Sequence, residues 1–413
     1  MKTKDVFTPG KFPTVTFVSE HLEEKKRQLN DAREAGGMVI SLSGPSKSGK
    51  TVFIEDTIGR DSLIHITGAG VDTSAKLWNR VFDIIGTPIS STTSTSKGFE
   101  GKFEGKVGGS AGLFVKGKGE VGASGAWASG SETVEGDAID HLQLFIREVE
   151  GTGLVLFVDD FHYASDLARK QFAEEIKEAV RQDMTIICGS VPYHSDDVIR
   201  ANTDLRGRIV VLDFDYWDPP VLKKIATSGF DELAMSVPDI LIDNLAAEAA
   251  GSPQLMQALC LNLCFELGVY ETSDPALVVD DDGTLLERVC RRTALMADFS
   301  TVVAMMKDGP KTRGQDRKSY KLQCGSIEDV YPIIVQAIAI DPPQLNFRYN
   351  GLTERIKAIC DTEGPVGSSV TGACTHMARI ANESANSVVI EWDEENDVLD
   401  VRDPYLLFFM RWS

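Results

Sequence analysis

The run Gly44-Pro-Ser-Lys-Ser-Gly-Lys-Thr51 constrains this chain more than any other feature. It is a complete G-x-x-x-x-G-K-T motif, entered from the apolar stretch Gly37-Met-Val-Ile-Ser-Leu-Ser43 and followed by a helical pattern. Glycines let successive backbone N–H groups turn inward. They form a nest that meets the partial positive charge of a helix N-terminus. The motif predicts a phosphate site in which Gly44, Ser46, Lys47, Ser48 and Gly49 surround the phosphates. Lys50 then reaches the β- and γ-phosphates, and the Thr51 hydroxyl holds Mg²⁺. The expected ligands are ATP or ADP with Mg²⁺.

A strand, a glycine turn and a helix in that order belong to an α/β sheet, and the flanking pattern agrees. Apolar strands at Ser62–Ile66, Leu154–Val158 and Met184–Cys188 alternate with helices at Thr73–Ile85 and Asp166–Arg181. An amphipathic helix from about Ser19 to Ala35 precedes them. Continuous apolar strands between amphipathic helices predict a parallel sheet covered on both faces. Beyond Trp217-Asp-Pro-Pro the pattern is all-helical, from about Val221 to Met306. The last hundred or so residues read as three helices, then strands at Ser387–Trp392 and Val398–Val401, the order of a winged helix. The expected organisation is a P-loop domain over 1–217, an all-α lid over 218–306 and a winged-helix domain over 307–413.

Residues 91–136 stand apart, holding a third of the chain's 36 glycines. Their centre alternates with period two, Phe99, Phe103 and Val107 against Glu100, Lys102 and Glu104. Either this is a mobile glycine-rich insertion, or it is a two-stranded amphipathic ribbon that pairs between subunits. The segments have the length of a membrane-barrel strand, but glycine thins the apolar face and a membrane role is not expected.

An apolar strand ending in acid should complete the phosphate site, and Gly153-Leu-Val-Leu-Phe-Val-Asp159-Asp160 supplies it. Asp159 is expected to hold Mg²⁺ through its water shell and Asp160 to polarise the attacking water. His162 follows them and either touches the site or packs locally at a helix start. Ser190, after Thr185-Ile-Ile-Cys-Gly, either senses the γ-phosphate or caps its strand. Arg200, Arg206 and Arg208 are candidate fingers toward a neighbouring subunit's γ-phosphate, or members of surface ion pairs.

Gly44–Thr51, Val155–Asp160, Ser190, Leu205-Arg-Gly-Arg208 and Gly251-Ser-Pro253 together resemble the STAND and initiator-type branch of AAA+ ATPases. The ending Asp403-Pro-Tyr-Leu-Leu-Phe-Phe-Met-Arg-Trp412 is similar to that of many prokaryotic members. The resemblance implies an ATP-driven switch that forms a homo-oligomer on ATP binding. It implies that Val15 to Phe17 border adenine, that Pro253 closes over the nucleotide from the lid, and that Arg208 is the preferred finger. Typical AAA+ lids carry a sensor arginine after the glycine, where this chain has Gly-Ser-Pro-Gln-Leu-Met-Gln. That departure favours the STAND branch and slow hydrolysis.

The formal charge of −20, from 62 acids and 42 basic residues, excludes a protein held on DNA or an anionic membrane by its overall field. The candidate recognition helix from Ser368 offers only His376 and Arg379, and Glu391–Asp403 holds seven acids and one arginine. Protein contact therefore reads better than DNA for this domain. One stretch, Lys307–Lys321, with six basic residues against two acids, could meet nucleic acid or equally the acidic wing itself. The seven cysteines are scattered without C-x-x-C, Cys260 and Cys264 read as buried thiols, and no apolar run spans a bilayer. The expected setting is cytoplasmic and reduced, without a structural metal.

Three functions follow. The first is an ATP-hydrolysing switch that signals to a separate effector or regulator protein, in prokaryotic anti-phage defence by analogy. The second is a DNA-associated AAA+ initiator or loader. The third is a nucleotide-stabilised assembly built on the glycine-rich ribbon.

Overall fold

A computed structural model describes residues 1–87, 140–190, 205, 207–312, 314 and 316–413. The 91–136 stretch, Arg200 and Arg206 lie outside the described residues. Five parallel strands form the central sheet: β1 Val39–Ser43, β2 Leu63–Thr67, β3 Val155–Asp159, β4 Ile186–Gly189 and β5 Ile209–Asp213. Their order is β2-β3-β4-β1-β5. Alternation along each strand divides the core between the two faces. Ile40, Leu42, Val155 and Phe157 pack with α1 (Glu23–Ala35) and α2 (Lys50–Ile58). Val39, Leu156 and Val158 pack with α3 (Ser74–Ile85), α4 (His141–Val149) and α5 (Asp166–Arg181). Each such side chain, removed from water on both sides of the sheet, contributes about 1.5–3 kcal/mol. Thr73, Asp140 and Ser165 cap α3, α4 and α5 by accepting from backbone N–H groups. Helix α4 adds an element that the strand-and-helix pattern did not mark.

The helical region comprises α6 (Pro219–Glu232), α7 (Asp239–Glu248), α8 (Pro253–Glu266) and α9 (Leu285–Ala294). Proline opens α6 and α8, where its missing N–H leaves no bond unmade. A two-residue parallel pairing of Met235–Ser236 with Leu277–Val278 interrupts the otherwise helical pattern. The N-terminal lead, grouped with the sheet on sequence, places Val6, Phe7 and Val18 in the core of these helices. The Phe7 ring lies so close to Gly229 that a Cβ there would come within 2.3 Å of it.

The C-terminal region runs α10 (Ser300–Asp308), α11 (Val330–Ala339), β6 (Asn346–Arg348), α12 (Tyr349–Ile359), α13 (Ser368–Ala385), β7 (Ile390–Asp393), β8 (Val398–Val401) and α14 (Pro404–Trp412). The antiparallel sheet has the order β6-β8-β7, which with helices α11 to α13 is the winged-helix arrangement. Strand β6 has three residues and α14 follows the wing directly; neither was anticipated. All seven cysteines are free, and all but Cys324 are buried. Burial pushes the Cys188, Cys264 and Cys374 thiols up to about 12. Among the described residues no helix is long and apolar enough to cross a membrane.

Candidate functional site

The turn after β1 is held in conformations that few sequences adopt. Lys47 and Gly49 have φ of 61° and 94°. Gly44 faces Phe214 so closely that a Cβ would meet its backbone oxygen at 2.7 Å. The turn delivers Lys50 to the start of α2, where Nζ donates to the carbonyls of Gly44 and Pro45 at 2.8 and 2.7 Å. Burial brings the Lys50 ammonium down to about 8, against the attraction of Asp159 and Asp160. Ser46, Lys47, Gly49, Lys50 and Thr51 line a cleft of 760 Å³. Ser48 is buried beneath it, and its hydroxyl has no hydrogen-bond partner among the described residues.

The end of β3 meets this turn. The Thr51 hydroxyl donates to Asp159 Oδ2 at 2.7 Å, and the Asp160 N–H donates to Asp159 Oδ1 at 2.9 Å. Burial raises the Asp159 carboxyl, but hydrogen bonds from His65 and Thr51 outweigh it and hold the group below the usual range. Asp160 sits in the left-handed region, φ 53°, and is pushed up to about 6 by burial and by Asp159 beside it. A hydroxyl and an ionised carboxylate converging at the head of a phosphate turn are hard oxygen donors, and they fit Mg²⁺. Gly189 on β4 leaves the room this needs, since a Cβ there would lie 2.8 Å from Asp159 Oδ1.

The rest of the cleft lining comes from the lead and the helical region. Phe17 lines it and stacks on Phe12, ring centroids 5.4 Å apart. Val15, expected beside Phe17 at the base, instead packs against the core of the helical region. Gln257 on α8 lies behind, accepting from the Thr8 N–H and donating to the Thr16 hydroxyl. Pro253 lines the cleft near Gly49, beside Trp217. Trp217 was not singled out from sequence, yet its Nε1 donates to the Ser48 carbonyl at 2.9 Å. Its backbone N–H donates to the Gly251 carbonyl, so the Gly-Ser-Pro turn and the phosphate turn meet through one residue. An aromatic residue just before Asp-Pro-Pro was the available signal.

The remaining candidates separate. The Ser190 hydroxyl donates to the Leu42 carbonyl at 3.2 Å, the bond of a strand-end residue. His162 packs its ring on Tyr163 at 4.0 Å. Arg208 precedes β5, whose Ile209 pairs with Val39, whereas the phosphate turn leaves β1 beyond the pair Ser43 and Asp213. Five strand steps at about 3.3 Å each place Arg208 roughly 17 Å along the sheet from its own turn.

The C-terminal region closes on the same place. Lys47 Nζ contacts both Asp403 carboxylate oxygens and lies over the Tyr405 ring at 4.5 Å. Arg402, almost fully buried, faces Glu391 at 2.6 Å and Asp400 at 3.0 Å. These contacts revise the charge of the wing: three of its seven acids face Lys47 or Arg402, while Glu394, Glu395 and Asp397 are exposed. Within the basic stretch Lys307–Lys321, Arg317 is paired with Asp329 and Lys321 with Asp361.

No protein-family model matches the chain, and no curated protein is similar to it in sequence. Solved structures share its fold. A Walker-type ATPase of Pyrococcus abyssi aligns at TM-score 0.51 and 14% identity, over 94% of this chain and 95% of its own. The Orc2 protein of Aeropyrum pernix, solved as ADPNP–ADP complexes, aligns at 0.51 and 10% identity, over 98% and 96%. Cdc6p of Pyrobaculum aerophilum aligns at 0.43 and 13% identity, over 98% and 96%. What is shared with the two structures at 0.51 is the fold: a parallel five-stranded sheet with helices, followed by a largely helical C-terminal half.

Proposed function

We propose that the chain binds ATP and ADP with Mg²⁺ and hydrolyses ATP slowly. The observation that carries this reading is the convergence of Lys50, Thr51, Asp159 and Asp160 at one end of the cleft, with the Thr51–Asp159 contact at 2.7 Å. Lys50 leaves the Gly44 and Pro45 carbonyls for the β- and γ-phosphates. Thr51 and Asp159 hold Mg²⁺, which supplies neutralisation of the phosphate oxygens. Asp160 accepts the proton of the attacking water, and its raised carboxyl suits a base. Arg208, at the far end of β5, can serve only a neighbouring copy, so a homo-oligomer completes the site. Arg206 belongs to the same proposal. Pro253 and Trp217 close the phosphate end, and Phe17 borders the base. Lys50→Ala tests the reading: it should abolish ATP binding and any ATP-dependent change in particle size, and retention of both refutes it.

For the partner, the likeness to the Orc2 protein favours a DNA-associated initiator or loader. Signalling to an effector protein, the STAND assignment and anti-phage defence draw on the sequence resemblance alone. Among the described residues of the stretch, the pairing of Arg317 and Lys321 leaves Lys307, Lys311 and Lys318 for phosphates, so DNA binding by this chain should be weak and its salt slope shallow. Filter binding at two salt concentrations measures that slope. No binding at either concentration returns the C-terminal domain to a protein partner.

A further inference from the structure

The strand beside β3 carries a histidine to which the reading above gives no role. His65 on β2 is in register with Phe157. Their rings stack at 4.8 Å with planes 22° apart. Asp159 is the next residue of β3 on the same face, and His65 Nε2 lies 3.5 Å from its Oδ2. Thr51 takes the same oxygen at 2.7 Å, while the Asp160 N–H holds Oδ1 at 2.9 Å. The carboxylate is therefore approached on both oxygens, by side chains from α2 and β2 and by the peptide N–H that follows it.

A carboxylate that serves a metal through water must offer its lone pairs in set directions. Partners that orient such a ligand are typically worth about 10–100-fold in metal affinity. The stacked Phe157 covers one face of the imidazole, and Gly189 keeps the opposite side of the carboxylate open.

We propose that His65 is a positioning residue for Mg²⁺, donating from Nε2 to Asp159 Oδ2 and fixing the carboxylate that receives the metal's water shell. It touches neither phosphate nor attacking water. The inference rests on the nucleotide-site reading above, and the experiment separates the two.

Binding of a fluorescent ADP analogue to the full chain is measured with chelated metal and then along an Mg²⁺ titration. His65→Phe keeps the stacking and removes the donor; His65→Gln restores a donor at similar reach. Metal-free affinity should stay within about twofold of wild type in both. The Mg²⁺ midpoint should rise about tenfold in His65→Phe and return most of the way in His65→Gln. Should His65→Phe not fold, His65→Asn serves, its amide falling short of Asp159, with the same rise expected. An unchanged midpoint in the donor-less variant overturns the role of His65, as does wild-type binding without Mg²⁺ dependence. A wild-type chain that binds no analogue overturns the nucleotide reading, and this inference with it.

Discussion

Lys47 in the phosphate-binding turn and Asp403 at the head of the last helix are joined at 2.6 and 2.7 Å, although 356 residues separate them. Asp403 also caps α14 by accepting from the Tyr405 N–H. Asp403→Asn keeps the cap and removes the charge. Loss of a partly buried charged contact of this kind costs about 1 kcal/mol. Release of a fluorescent ADP analogue in stopped flow should quicken about fivefold. Asp403→Ala should add about 1 kcal/mol of destabilisation from the lost cap. Unchanged release in Asp403→Asn would show that this contact does not restrain the turn.

If Asp160 is the base proposed above, it ties activity to acidity. Its carboxyl is pushed up to about 6, so the basic form is lost as pH falls through that value. The ratio kcat/KM should fall about tenfold per pH unit below about 6 and level off above it. Asp160→Asn should cut turnover about 10²–10⁴-fold while ADP binding persists. Because the folded-state value lies above the unfolded one, burying Asp160 costs stability that builds up as pH rises from the unfolded value and is complete above about 6. Asp160→Asn should accordingly raise the melting temperature more at pH 8 than at pH 5. Equal shifts at the two pH values would contradict the burial argument.

Gly189 can be tested without touching a polar group. In Gly189→Ala the new methyl comes within 2.8 Å of Asp159 Oδ1, and the carboxylate must move. Mg²⁺-dependent ATPase should fall at least tenfold while metal-free ADP affinity holds. An ATPase equal to wild type would mean that Asp159 has slack to absorb the methyl.

The Arg-Trp ending has a mechanical role that its sequence only hinted at. Arg411 and Trp412 both donate to Glu248 of α7, at 2.6 and 2.7 Å, and the ion pair is nearly buried. Glu248→Ala leaves that guanidinium with Asp341 as its carboxylate and should cost about 3 kcal/mol, read as a lower urea midpoint. Glu248→Gln, which keeps an acceptor for Trp412, should cost less. Equal midpoints for Glu248→Ala and wild type would show the contact to be dispensable.

What could be read beforehand was local. Gly44–Thr51 and Val155–Asp159 carry their chemistry in contiguous residues, and continuous apolar strands fix a parallel sheet by pattern alone. Val15 and Phe17 could not be assigned faces because a proline-punctuated lead has no period. Trp217 on Ser48 and Asp403 on Lys47 are contacts across 169 and 356 residues, made by packing rather than by any motif. For Ser190, just past β4, two readings were open, and which way its hydroxyl turned depended on β1 lying alongside.

The anchoring of the lead in the helical core has a kinetic consequence. Phe7 is locked among those helices, while Phe12 and Phe17, a few residues on, form one wall of the cleft; Trp217 and Pro253 cover the opposite end. In the proposed reading, both ends of a bound nucleotide would thus be covered by parts of a single body. When that body swings away from the sheet, base and phosphates should be uncovered together, and ADP should leave in one exponential phase without a half-released intermediate.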